Sequence, residues 1–194
     1  MRLVLLPLRL LPLKANRVLL LNDLSYNYSD NPKYLAEKLL EKYPNTFEII
    51  FPVKDPQLFP RLRQKGLSPV IFNSLSYFYY AMTAAVFVTN NGGYSYIPLR
   101  KAQLVINTWH GGGAYKKDAL ACMDTPVFRK ELRLSAKPLD YFLATNWFSK
   151  AVMSVSHAIP EEKFWMIGMP RNDILIKNAP GAADAVKAGL GFAP

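Results

Sequence analysis

The sequence predicts an α/β fold built on a parallel sheet, and three observations carry that expectation. Strand-length runs such as RVLLLN (17–22), AAVFVTN (84–90) and the centre of KAQLVINTWH (101–110) are nearly continuous in apolar residues, as strands covered on both faces are. Segments with helical periodicity alternate with them. Fifteen prolines in 194 residues, many at element borders, favour many short elements over a helical bundle.

The elements follow in order. RVLLLN is the first strand, and the polar, aromatic loop DLSYNYSDN follows it. NPKYLAEKLLEKY (31–43) is a helix, with Asp30 or Asn31 as its cap, Pro32 in the first turn and Tyr34, Leu35, Leu39 and Leu40 on its apolar face. TFEIIFP (46–52) is a strand, a short helix lies within 56–66 and ends at Gly66, and PVIFN (69–73) is the third strand. SLSYFYYAMTA gives a helix and AAVFVTN a fourth strand, after which NNGGY breaks the chain. A fifth strand lies in 101–110, helix and basic loop in 118–138, a strand in 139–146, a helix in 147–159, and a last short strand with a polar turn in 163–173. Trp109, Trp147 and Trp165 most simply supply core. Residues 178–194, rich in Ala, Gly and Pro, either begin a helix of a further domain or form a frayed tail.

Composition narrows the function. Hydrophobic residues make up 51% of the chain, ample for a core. The single cysteine, Cys122, rules out an internal disulfide framework and a multi-cysteine zinc site, and is read as inert. With two histidines, no metal and no cofactor is expected, and the usual compartment is reducing. Twenty-four Lys and Arg against 14 Asp and Glu give a net charge of +10, which suits a phosphate-bearing substrate or an anionic membrane surface. No basic tract with interleaved aromatics and no finger or helix-turn-helix spacing is present, so nucleic acid is not an expected partner. The opening MRLVLLPLRLLPLKANR carries Arg2, Arg9, Lys14 and Arg17, too charged and too short to span a bilayer. It reads as a basic, leucine-rich segment lying on anionic lipid, with a leading core element of the fold as the competing reading.

The segment NTWHGGGAYKK (107–117) concentrates the chemistry. A strand delivers His110 to its carboxyl edge, where doubly wound folds bind ligands, and a neutral imidazole suits proton abstraction from a hydroxyl. Gly111, Gly112 and Gly113 admit backbone N–H groups to an anion, and Lys116 and Lys117 add positive charge if a helix starts at Ala114. The plainer alternative is a tight turn with a structural histidine and solvated lysines. Oxyanion loops of esterases also use HGGG, but no G-x-S-x-G accompanies it, and the run is not a P-loop.

Three further stretches face the same edge. In NDLSYNYSDNPKY (22–34), Asp23, Asn27, Tyr28, Ser29 and Asp30 offer hydrogen bonds to a polyol; equally, Ser29, Asp30 and Asn31 serve as helix caps. NNGGY (90–94) follows a strand, with a glycine turn as its plain reading. GMPRND (168–173) offers Arg171 to an anionic group, or holds Arg171 and Asp173 in a turn network. His157, in a mixed helix, reads as surface or structural.

YSDNPKYLAEKL (28–39), NTWHGGGAYKK (107–117) and GMPRND (168–173), in that order and spacing, resemble the CDP-glycerol glycerophosphotransferase family, which builds poly(glycerol phosphate) and poly(ribitol phosphate) teichoic acids, over residues 15–176. The resemblance implies the Rossmann-like N-terminal domain of a GT-B-type transferase. Residues 1–16 would be a membrane-proximal segment, 17–176 the acceptor-side domain, and 177–194 a tail or the start of the donor-binding domain. It implies transfer of glycerol phosphate from CDP-glycerol, or a related CDP-alditol, to a hydroxyl of a lipid-linked polyanionic acceptor, with release of CMP. His110 would be the general base, with Asp30, Asn31, the three glycines, Lys116, Lys117, Arg171, Asn172 and Asp173 on the substrate or phosphate. Gly112 and Gly113 stand where the family often keeps Thr-Pro or Thr-Gly, which keeps backbone access and loses a hydroxyl. The resemblance also implies a peripheral protein of the cytoplasmic face of the plasma membrane and a C-terminal donor-binding domain beyond this chain. A GT-B glycosyltransferase using a nucleotide sugar, or a non-catalytic truncated acceptor- or membrane-binding module, are the competing expectations.

Overall fold

The computed structural model describes residues 2–113, 115–176 and 181–191. Seven strands form one sheet: β1 (Lys14–Leu21), β2 (Glu48–Val53), β3 (Ser68–Ile71), β4 (Ala84–Thr89), β5 (Leu104–Asn107), β6 (Tyr141–Leu143) and β7 (Phe164–Trp165). Their order is β3-β2-β1-β4-β5-β6-β7, and every pairing is parallel. The helices are α1 (Asp30–Lys42), α2 (Phe59–Gln64), α3 (Leu75–Thr83), α4 (Pro126–Ala136), α5 (Trp147–Ser156), α6 (Asp173–Ile176) and α7 (Ala182–Gly189).

The apolar strands are explained by two covered faces. Val18 and Leu20 of β1 and Ile49, Phe51 and Val53 of β2 pack with Ala36 of α1 and Leu62 of α2. Their neighbours Leu19, Leu21 and Ile50 point the other way, with Phe87, Val105 and Phe142, onto Tyr77, Phe78 and Ala81 of α3 and Met153 of α5. Period-two alternation thus feeds two cores at once, which a sheet open on one face does not require.

Several expectations are corrected. β1 starts at Lys14, so strand structure begins earlier than the expected border of the leading segment. Leu5 joins the core, a 3-10 turn spans Leu6–Leu10, and the Arg100 guanidinium donates to the carbonyls of Arg9 (2.9 Å) and Leu11 (2.7 Å). The core-element reading therefore holds for part of the segment, while Leu3, Val4 and Leu10 remain exposed. Among the described residues, no helix is long and apolar enough to cross a membrane.

β5 ends at Asn107 because Trp109 adopts φ 52°, which extended pairing cannot accommodate. Trp109 is core, but Trp147 is 72% exposed at the first turn of α5 and Trp165 is 42% exposed on the two-residue edge strand, stacked on Tyr141 at 3.9 Å. Ala114 lies outside the described residues; residues 115–118 are not helical, and the next helical turn is the 3-10 turn Ala119–Ala121. In the last stretch a helix does form, α7, while residues 177–180 and 192–194 lie outside the description.

Candidate functional site at the switch point of the sheet

Strand order reverses between β1 and β4, so the chain leaves these neighbouring strands toward opposite sides and opens a crevice at their carboxyl ends. Asn22 and Asp23 follow β1, Asn90 and Asn91 follow β4, and Thr108 to His110 follow β5. Asn90, fully buried, ties the three together. Its Nδ2 donates to Asn22 Oδ1 (2.9 Å) and Asp30 Oδ2 (3.0 Å), and its Oδ1 accepts from the Asp23 amide (2.8 Å). The sequence marks Asn90 only as part of a turn; an Asn immediately after a buried strand was the available signal.

The Asn90 carbonyl lies 2.8 Å from His110 Nδ1. A carbonyl oxygen only accepts, so Nδ1 carries the proton, and in the neutral ring the lone pair lies on Nε2. The ring is held further by Trp109, whose centroid lies 4.1 Å away. The left-handed backbone of Trp109 is fixed in turn: its N–H donates to Asn107 Oδ1 (2.8 Å) and its carbonyl accepts from Asn31 Nδ2 (2.8 Å).

The Asp30–Asn31 pair and the GMPRND turn meet here across a sequence separation of 140 residues. Arg171 Nη1 donates to Asp30 Oδ1 (2.8 Å) and Nη2 to the His110 carbonyl (2.7 Å), while the Arg171 amide donates to Asn31 Oδ1 (3.1 Å). Arg171 thus pairs with Asp30, not with Asp173 as one reading of the turn had it. Asp30 and the wholly buried Asn31 spend their polar atoms on protein groups and brace His110 from behind. Ser29, at the cap position of α1, makes no side-chain cap bond; its Oγ accepts from Asn22 Nδ2 (2.8 Å).

In front of His110 lies a cleft of about 580 Å³ lined by His110, Gly111, Gly113, Lys116, Lys117 and Phe148, among others. Both lysines are exposed. None of the three glycines has a left-handed φ; a Cβ on Gly111 would stand 3.3 Å from Trp109 Nε1, and one on Gly113 2.8 Å from the Tyr115 ring. Gly112 has open space around it, and its carbonyl accepts from Thr145 Oγ1 (2.6 Å), which anchors the loop to the turn after β6. Asp30, Asn31, Arg171, Asn172 and Asp173 do not line this cleft. Asn172 closes a 3-10 turn on Met169, and Asp173 begins α6, beside α1.

His157 is buried behind the same ring stack rather than on the surface. Trp109 lies edge-on to it at 4.9 Å, its Nδ1 is 3.0 Å from Ser156 Oγ, and Nε2 faces Asp118 at 3.6 Å. Burial lowers its pKa from the ordinary value, and Asp118 only partly offsets this. Among the described residues, no cluster of His, Cys, Asp and Glu could hold a metal ion.

The parallel, doubly wound sheet is consistent with the Rossmann-like N-terminal domain of a GT-B-type transferase, and solved structures agree. The wall teichoic acid polymerase TagF superimposes with a TM-score of 0.77 at 25% identity, covering 94% of this chain and 46% of that one. A TagF histidine-to-asparagine variant with CDPG gives a TM-score of 0.78 over the same shares. The teichoic acid poly(glycerol phosphate) polymerase of Staphylococcus epidermidis is 29% identical over 161 residues, 79% of this chain and 22% of that protein. The chain belongs to the CDP-Glycerol:Poly(glycerophosphate) glycerophosphotransferase family, whose model matches residues 4–194. It spans less than half the length of these relatives.

Proposed function

We propose that this chain forms the acceptor side of an enzyme transferring glycerol phosphate from CDP-glycerol to a hydroxyl of a membrane-linked cell-wall polymer. The observation that carries the reading is the Nδ1 contact of His110 with the Asn90 carbonyl, which leaves Nε2 of the neutral ring as a base in the cleft that Lys116 and Lys117 also line. The acceptor hydroxyl gives its proton to Nε2 as its oxygen bonds to the β-phosphorus of CDP-glycerol. The bond from that phosphorus to the bridging oxygen breaks, and CMP leaves with the electron pair. Lys116 and Lys117 would offset charge on the transferring phosphate, and Arg171, Asp30 and Asn31 would hold the base in register. A donor-binding domain would supply the nucleotide contacts.

His110→Ala, in the chain joined to a donor-binding domain, is expected to lower kcat by roughly 10²–10⁴-fold with the fold intact. An unchanged kcat removes His110 as the base. Product analysis with CDP-glycerol, CDP-ribitol and nucleotide sugars identifies the transferred group. Peripheral attachment to the cytoplasmic face is part of the same proposal: Leu3, Val4 and Leu10 are exposed on a segment that also carries Arg9 and Lys14.

A further inference from the structure

Trp109 touches both histidines of the chain, His110 at 4.1 Å between ring centres and His157 edge-on at 4.9 Å. His157 follows α5, is buried, and does not itself line the cleft in front of His110. Its two ring nitrogens nevertheless meet residues that do. Nδ1 is 3.0 Å from Ser156 Oγ, and Nε2 faces Asp118 Oδ2 at 3.6 Å. Burial lowers the pKa of the ring and so favours its neutral form. A carboxylate repels a lone pair and attracts a proton, so in that form the proton sits on Nε2 and Nδ1 accepts from the Ser156 hydroxyl. The two histidines thus carry their protons on opposite nitrogens.

Asp118 closes the loop that carries Lys116 and Lys117. The other end of that loop is fixed at Gly112, whose carbonyl accepts from Thr145 Oγ1 at 2.6 Å. Between these ends, Tyr115, Lys116 and Lys117 are exposed and make no hydrogen bond to another described residue. The position of both lysines therefore depends on what holds the ends. Asp118 Oδ1 accepts from the amide of its own neighbour Ala119 at 2.8 Å, which leaves Oδ2 to tie the loop to the end of α5 through His157. We infer that His157 is a positioning residue for phosphate transfer: its Nε2–H holds Asp118, and through Asp118 holds Lys116 and Lys117 in the cleft, while its ring backs the tryptophan that supports His110. This rests on the reading of His110 and the two lysines as the acceptor-side site. The role differs from packing alone, because it needs a donor at one nitrogen and not merely a ring.

Two variants separate donor from ring. His157→Phe keeps a ring against Trp109 and loses the donor, whereas His157→Gln loses the ring and keeps an amide N–H to offer Asp118. The test is NMR on the 194-residue chain, followed by kinetics on the chain joined to a donor-binding domain. Long-range nitrogen–proton spectra of the two imidazoles are expected to show His157 protonated on Nε2. The Lys116 and Lys117 amides are expected to lose order on the ps–ns timescale in His157→Phe and to keep it in His157→Gln. His110→Ala is expected to leave that order unchanged, so the loop result does not depend on the base. In the joined chain, kcat is expected to fall roughly tenfold or more for His157→Phe and to stay within about threefold for His157→Gln. Asp118→Ala is expected to match His157→Phe, and the double variant to fall no further, because both remove one contact. His157 protonated on Nδ1, or lysine amides as ordered in His157→Phe and Asp118→Ala as in wild type, overturns the anchor. Equal loss of kcat in Phe and Gln variants overturns the donor's part and leaves His157 as packing. Freed lysine amides with unchanged kcat overturn the role in transfer, and locate the failure in the reading of the lysines rather than in the loop contact.

Discussion

Asn31→Ala tests whether the base is braced from behind. Asn31 is wholly buried and bridges two loops: its Nδ2 donates to the Trp109 carbonyl at 2.8 Å and its Oδ1 accepts the Arg171 amide at 3.1 Å. The Trp109 carbonyl also accepts from Thr108 Oγ1 at 3.2 Å, so it is not orphaned when Asn31 goes. The Arg171 amide loses its side-chain acceptor, at about 1–3 kcal/mol for an unsatisfied donor. Adding about 0.5–1.5 kcal/mol for the lost bond to Trp109, the total is about 1.5–4.5 kcal/mol. For a chain of this size that lowers Tm by roughly 3–18 °C. Asn31→Asp is the sharper variant. It keeps the acceptor for Arg171 but sets a carboxylate oxygen against the Trp109 carbonyl in a buried position, and so should cost more than Ala. Urea denaturation followed by tryptophan fluorescence measures both. A loss under about 0.5 kcal/mol for Ala, the range of ordinary surface changes, would refute the bracing argument. So would Asp matching wild type.

Arg171→Lys keeps the charge but cannot span Asp30 Oδ1 and the His110 carbonyl together; a loss of about 1 kcal/mol is expected by urea denaturation, and more for Arg171→Ala. His157 has a folded pKa below its ordinary value of 6.5, so below that pH the unfolded chain binds more protons. Its contribution to stability is present above about pH 6.5 and is lost as pH falls toward the folded pKa; urea midpoints from pH 8 to 5 should fall, and less steeply in His157→Gln. Leu10→Glu, at a residue 89% exposed, should reduce sedimentation with anionic vesicles several-fold while leaving Tm unchanged; equal sedimentation removes the leading segment from the membrane surface.

The fold was legible because a parallel sheet imposes a signature on each strand separately. RVLLLN, FEIIFP, AAVFVTN and LVIN are apolar on both alternating sets, and the sheet covers both sets. Strand ends were less legible. β5 stops at Asn107 because of a left-handed Trp109, and that conformation depends on Asn107 and on Asn31, far away in sequence. The tryptophans misled for a related reason: nothing local distinguishes Trp109 from Trp147, and only the fold determines that one underlies a histidine and the other stands exposed in the first turn of α5.

The sequence by itself determined the α/β class, the order of strands and helices, the histidine-glycine-lysine edge and the family. These rest on local periodicity and on short motifs that the chain carries whole. Only the tertiary structure decided which residues meet. Asp30, Asn31 and Arg171 bond to one another and to the carbonyls of Trp109 and His110, and the Asn90 carbonyl contacts His110 Nδ1. Hydrogen bonds are directional and spend each donor and acceptor, so a polar residue's role follows from which partners lie within about 3 Å. That distance is set by the meeting of β1, β4, β5 and the Arg171 turn, and no local pattern encodes it.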